Sequence, residues 1–251
     1  MKHYLFIIFY LFLNLFIYAF QGTIWVYIFC FVLFSAVVVW GSFNIQLGYF
    51  VNSFTHKRTK LKEVALTFDD GPTEFTLKFL DLLKENNIKA TFFCIGKQIE
   101  KHPETFQRII ADGHTIGNHT FSHSNNTGFL STAKMIEEIK KCDEVMLKIR
   151  NIKTNLYRPP FGVTNPNIAK AIKKTQKKSI GWNVRSLDTV ISDEKKILNK
   201  ITKSLKKGSI ILLHDTSEKT YNVLVEILLF LERKKYSTFT IDSIFKSKNN
   251  V

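Results

Sequence analysis

The chain has 251 residues, 45% of them hydrophobic and 23% charged, with a formal net charge of +15. That length and apolar content exclude a disordered tail and suit one sizeable domain with its own core. Three cysteines, Cys30, Cys94 and Cys142, have neither paired spacing nor a Cys-x-x-Cys motif, which excludes a disulfide framework and a cysteine zinc site.

In chain order, the first feature is apolar. Between Tyr4 and Trp40 there is no Asp, Glu, Lys or Arg. Gln21, Gly22 and Thr23 divide this segment into stretches 4–20 and 24–40, each about 17 residues, the lower limit for a bilayer-spanning helix. The pattern predicts a transmembrane hairpin, with Trp25, Trp40 and the terminal tyrosines at the interfaces. A cleaved signal peptide is the competing reading, but the first apolar run is long for one and only Lys2 precedes it as a formal charge. The expected organisation is an anchor over 1–42 that contacts membrane lipid, a basic connector over 43–62 and a soluble domain over 63–251. The connector ends in HKRTKLK, residues 56–62. A basic domain tethered this way meets anionic lipid or envelope polymers. No helix-turn-helix, zinc-finger or aromatic RNA-binding pattern is present, so nucleic acid is not an expected partner.

The soluble region alternates. Strands are predicted at 64–68, 90–96, 114–119, 155–161, 179–184, 209–215 and 237–241. Helices are predicted at 74–86, 103–112, 131–150, 165–175, 192–207 and 220–234, with Pro103 opening one and Gly208 ending another. Apolar strands alternating with amphipathic helices predict parallel strands covered by helices. The length suits an α/β fold built as a distorted, incomplete (β/α) barrel of about seven parallel strands, preceded by the transmembrane hairpin.

Several polar residues fall at or just past the C-terminal ends of these strands. Asp69 and Asp70 end the first, and His119 and His123 follow the third. Arg158 ends the fourth, Asp188 follows the fifth and His214 ends the sixth. In a parallel barrel those ends converge on one face. Asp-Asp-Gly-Pro alone is ordinary turn chemistry, and His-x-x-x-His alone is equally two solvated loop histidines. If residues 119–123 form a helical turn, both imidazoles share one side and can share a cation. Two histidines and a carboxylate make a common open site for zinc or a related divalent metal. Neighbouring side chains at a strand end diverge, so one carboxylate can bind the metal while the other faces substrate as a general base.

The motifs TFDDG, HTFSH, RPPF, WNVRSLD and ILLHD, in this order, resemble those of the polysaccharide deacetylase family, the nodulation-protein-B-like domains of carbohydrate esterase family four. The resemblance runs from about Glu63 to about Phe245. It implies a distorted (β/α) barrel that uses one divalent metal to remove N-acetyl or O-acetyl groups from glycans, with N-acetyl the expectation here. Zinc is the expected metal, with cobalt, nickel and manganese as alternatives. It further implies that Asp69 is the catalytic base and that Asp70, His119 and His123 are the metal ligands. Arg158 would orient Asp69, His214 would be the general acid, and Asp188 would pair with His214. Phe161 stands where the family usually has Tyr, and its backbone N–H would serve the oxyanion. Leu212 would line the pocket for the acetyl methyl. Two departures stand out: Arg185 replaces an Asp, and Thr189 replaces a Trp that would wall the groove. The expected substrate is an envelope glycan such as peptidoglycan or a chitin-like oligosaccharide, and the alternative is a non-catalytic glycan-binding module on the same fold. Lys2 and the basic cluster at 56–62 put both hairpin ends in the cytoplasm by the positive-inside count. The resemblance implies a domain facing the envelope, and the extracytoplasmic side is the expectation adopted.

Overall fold

The computed structural model describes residues 2–246. Helices α1 (Lys2–Ala19) and α2 (Ile24–Phe43) form the hairpin expected of the apolar segment. Its turn needs Gly22, where a Cβ would lie 2.3 Å from the Ile17 side chain. Phe34 stacks on Phe6 and Tyr10 across the pair, while most other side chains point outward and are exposed. Both helices are long and apolar enough to cross a bilayer.

The rest is a curled, all-parallel sheet wrapped in helices. Its strands are β1 (Glu63–Asp69), β2 (Thr91–Cys94), β3 (Thr115–Asn118), β4 (Leu156–Tyr157), β5 (Lys178–Ser179), β6 (Val184–Arg185) and β7 (Ser209–His214). They lie in the order β5-β4-β3-β2-β1-β7-β6, and β8 (Ser237–Thr238) pairs with the start of β1. The incomplete barrel of about seven parallel strands is therefore present. The helices are α3 (Thr76–Glu85), α4 (Gly96–Lys101), α5 (Pro103–Ala111), α6 (Thr132–Arg150), α7 (Pro166–Lys174), α8 (Glu194–Ser204), α9 (Glu218–Arg233) and α10 (Ser243–Lys246). Ser131, Asn165, Asp193 and Ser217 each cap a helix N-terminus by accepting a backbone N–H.

Strand alternation sets the two faces of the sheet. In β1, Val64, Leu66 and Phe68 face the helices and join one large core with Phe79, Phe92, Leu213 and Leu224. Ala65 lies in a second cluster with Phe93, Leu156, Ile180, Trp182, Ile210 and Leu212. Thr67 and Asp69 share the inner face with Ala65 by the same alternation. Cys94 and Cys142 are buried and unpaired, filling space as small hydrophobes.

Several local expectations change: the strand expected over 155–161 is only β4, followed by a 3-10 turn over Pro160–Gly162, and α8 ends at Ser204 rather than at Gly208. The stretch 179–184 is not one strand but β5 and β6, because the chain leaves the sheet after Ser179 and rejoins it at Val184. Gly96 begins α4 rather than ending a strand. Residues 119–123 are a loop and not a helical turn, since Thr120 and His123 both take left-handed backbone (φ +68° and +48°).

Residues 43–62 do more than join anchor to domain. Ile45 is 3% exposed and lies in the inner cluster with Trp182 and Leu212. Phe54 bridges to Ile180 and His56 to Ser209, so this segment spans the gap between β5 and β7 in the open barrel.

Candidate active site

Register brings the site together. Asp69 lies opposite both Phe93 and His214, while Asn118 lies opposite Cys94 and Tyr157. The residues just beyond, His119 and Arg158, therefore emerge on the same edge as Asp69 and His214. Asp70 takes left-handed backbone (φ +74°), which turns its carboxylate toward the two histidines next to that of Asp69. Gly71 follows because a Cβ there would lie 2.3 Å from the buried Asp215 carboxylate.

The Nε2 atoms of His119 and His123 lie 3.4 and 3.5 Å from Asp70 Oδ1. The three ligand atoms are all within 4.8 Å of one another. His119 Nδ1 lies 2.7 Å from the Arg158 carbonyl, which can only accept, so in the neutral ring Nδ1 carries the proton and Nε2 presents a lone pair. Asp70 Oδ1 is buried and has no hydrogen-bond partner. A lone pair facing a buried, unsatisfied carboxylate oxygen is unfavourable unless a cation lies between them. Burial pushes the His123 imidazole down to about 4, with His119 adding to the effect, so it too is a neutral donor. Burial pushes the Asp70 carboxyl up, but the surrounding imidazoles outweigh it and hold it below the usual carboxylate range. Two imidazoles and one carboxylate fit a divalent metal.

Asp69 is 3% exposed and is held differently. Arg158 is fully buried, and its Nη1 donates to Asp69 Oδ1 at 2.7 Å and to Thr67 Oγ1 at 2.8 Å. Its other nitrogens donate to the carbonyls of Ile180 and Gly181, and its guanidinium lies 4.1 Å from the Phe93 ring centroid. Asp69 Oδ2 is left facing the histidines, 3.7 Å from His119 Nε2.

His214 Nδ1 lies 2.8 Å from Asp188 Oδ1. Asp188 is 1% exposed and also accepts from Ser186, Thr220 and the His214 backbone N–H. Burial pulls the His214 imidazole down, but the hydrogen bond and charge of Asp188 more than offset it and raise it to about 9. Its Nε2 points back to the centre, 3.9 Å from Asp70 Oδ2. These groups line a cleft of about 240 Å³ together with Phe161, Gly162, Trp182, Leu187, Leu212, Arg185 and Thr189. Phe161 is half exposed, takes left-handed backbone (φ +58°) and packs its ring 4.7 Å from that of His123.

Every residue singled out in the sequence thus lines this cleft or directly holds a residue that does. Sequence reasoning missed the supports: Thr67, Ser186 and Thr220, and the carbonyls that fix Arg158. Thr67 alone carried a signal, as a polar residue in step with Asp69 on the inner face of β1.

A family model described as polysaccharide deacetylase matches residues 56–180. A peptidoglycan-N-acetylglucosamine deacetylase of Bacillus cereus is 35% identical over 74% of this chain and 69% of its own length. The peptidoglycan-N-acetylmuramic acid deacetylase PdaA of Bacillus subtilis is 32% identical over 78% of this chain and 76% of its own. Among solved structures, the Bc1960 peptidoglycan N-acetylglucosamine deacetylase superposes with a TM-score of 0.72 at 34% identity, covering 77% of this chain and 92% of that one. The chain belongs to the polysaccharide deacetylase family. It is a hydrolase of that class, and its cleft holds a His/Asp group suited to a metal. A mutant of a pseudoenzyme from the same esterase family, with restored activity, also superposes, with a TM-score of 0.70 at 25% identity over 76% of this chain and 70% of that one.

Proposed function

We propose that this chain removes N-acetyl groups from an acetylated envelope glycan, peptidoglycan foremost, releasing acetate and leaving free amines. The observation that carries the reading is the buried, unpartnered Asp70 Oδ1 facing two imidazole nitrogens, with a second carboxylate beside it tied to a buried arginine. Asp70, His119 and His123 would hold one divalent cation, zinc by the nitrogen-rich donor set. That cation supplies Lewis acidity toward the acetyl carbonyl and the attacking water.

The chain's own residues do the rest. Asp69 accepts a proton from the water as its oxygen attacks the acetyl carbon. Arg158 Nη1 donates to Asp69 Oδ1 and so fixes the direction of that carboxylate's free lone pairs. The Phe161 N–H donates to the developing oxyanion, and Leu212 packs on the acetyl methyl. His214 donates its Nε2 proton to the sugar nitrogen as the carbon–nitrogen bond breaks. Asp188 holds His214 in that tautomer and sustains its positive charge. A non-catalytic glycan-binding module needs none of these supports, and the buried hydrogen bonds that hold Asp69 and His214 favour the catalytic reading.

Residues 4–40 anchor the protein in a membrane, with the catalytic domain on the extracytoplasmic side. Acetate release from purified peptidoglycan, measured on the full-length protein before chelation, after chelation and after zinc is restored, tests the reading. Loss and recovery of acetate are expected. A rate indifferent to chelation contradicts the metal, and no acetate in any arm contradicts the activity.

A further inference from the structure

The anchor is not a loose tether. The carbonyl of Ser42, at the end of α2, accepts the Thr164 N–H at 2.9 Å. Ile45 is buried against Gly181, where a Cβ would lie 3.2 Å away. Tyr49 packs on Gly41, and its hydroxyl lies 3.1 Å from His3 Nδ1 at the other end of the hairpin. Lys2 Nζ donates to the Leu47 carbonyl. Both open ends of the hairpin are thereby fixed to one side of the domain.

That side is the catalytic one. Thr164 and Gly181 lie on the loops that leave the C-terminal ends of β4 and β5, the same end of the sheet as the metal ligands. The basic stretch follows from His56, which bridges to Ser209, while the Lys57 N–H donates to the Gly208 carbonyl. Thr164 is three residues past Phe161, and three residues span at most about 10 Å. The headgroup layer beyond the hydrocarbon is about 5–7 Å deep on each side. The cleft wall at Phe161 thus lies within roughly 10–13 Å of the end of α2, beside the headgroup layer of any bilayer that α2 spans.

Exposed apolar side chains stand on loops next to the cleft. Phe129 is 91% exposed and Val190 is 74% exposed. Phe129 ends the 3-10 turn Thr127–Phe129, which is tied to the Thr164 loop by the Asn165 Nδ2 donor on the Gly128 carbonyl. Val190 follows Thr189, which lines the cleft from the β6 end of the sheet. Half-exposed Phe161 lines the cleft itself, so exposed apolar side chains lie on loops at both ends of the curled sheet. Aromatic residues at this depth are favoured at a membrane interface and disfavoured in water.

We infer that the cleft works against the membrane surface and takes its acetylated amino sugar on a lipid carrier, rather than from polymer held away from the bilayer. This rests on the deacetylase reading and on residues 4–40 lying in a bilayer. A cleft held beside the headgroup layer meets a lipid-borne sugar at high local concentration.

The test uses the full-length protein, zinc-loaded, in phosphatidylglycerol–phosphatidylethanolamine vesicles. One probe is a polyprenyl-diphosphate-linked N-acetylglucosaminyl-N-acetylmuramic acid disaccharide in the same vesicles. The second is that disaccharide freed from its lipid, and the third is soluble peptidoglycan fragments. Acetate release should show a kcat/KM at least tenfold higher on the lipid-linked probe. Phe129→Ser, a change on an exposed turn, should lower the lipid-linked rate severalfold and leave the free-disaccharide rate unchanged. Equal kcat/KM on linked and free disaccharide, preference for the polymer fragments, or a Phe129→Ser variant equal to the parent on the lipid-linked probe would each overturn the inference while leaving the deacetylase reading intact. No acetate from any probe overturns both.

Discussion

Two carboxylates that are neighbours in sequence, Asp69 and Asp70, end in different chemical environments because their partners differ. Asp69 is bound by a guanidinium with no access to water, and Asp70 faces ring nitrogens and nothing that donates to its Oδ1. Arg158 carries the larger structural burden, since it is wholly buried and ties Asp69 and Thr67 to the loop at Ile180 and Gly181. Arg158→Ala leaves an uncompensated buried carboxylate and should cost about 3–5 kcal/mol, read as a lowered denaturant midpoint. His214 sets the pH behaviour. Its imidazole, raised from 6.5 to about 9, is charged below that pH and loses its proton above it, so the rate should fall as pH rises through about 9. Asp188→Asn removes the charge that raises it, and the alkaline limb of the pH–kcat profile should move toward lower pH. An unmoved limb would mean that His214 is not the acid.

Elements made of strong local signals were legible in the sequence, and those made of tertiary contacts were not. The strand ending in Asp69, the helix capped by Ser131 and the strand ending in His214 follow from apolar periodicity and capping, and they lie within a residue or two of expectation. The loop at 119–123 shows the limit. Its histidine spacing suggested a helical turn, yet the imidazoles meet through left-handed residues whose conformation the surrounding fold imposes. The split of 179–184 is of the same kind, because an apolar run does not say where it leaves the sheet. The segment 43–62 read as a basic connector because its charge is local, while the burial of Ile45 and Phe54's bridge to Ile180 are long-range. A chain beginning at Asn44 keeps both side chains, and one beginning at Thr59 loses them. Ile45→Ala should cost about 2–5 kcal/mol. Thermal melts of the two shortened chains should show the Thr59 form melting lower, and coincident melts would mean that the segment lies on the domain without supporting it.

At the scale of the whole molecule, three features share one end: the open ends of the apolar hairpin, the loops after β4 and β5, and the polar cluster at the strand termini. A parallel sheet delivers all its C-terminal ends to one face, so the chemistry collects there without any sequence-local signal beyond residue type. The chemistry on that face turns on the division of labour between its two carboxylates. Metal titration and acetate release, measured side by side on Asp69→Asn, Asp70→Asn and the parent, address it directly. Asp69→Asn should bind the metal nearly as well as the parent while kcat falls roughly 10²–10⁴-fold, the usual worth of a positioned general base. Asp70→Asn should bind the metal more weakly, with part of its rate restored by excess metal. Loss of the metal in Asp69→Asn with retention in Asp70→Asn would contradict the assignment, as would a metal-loaded Asp69→Asn with the parent's rate.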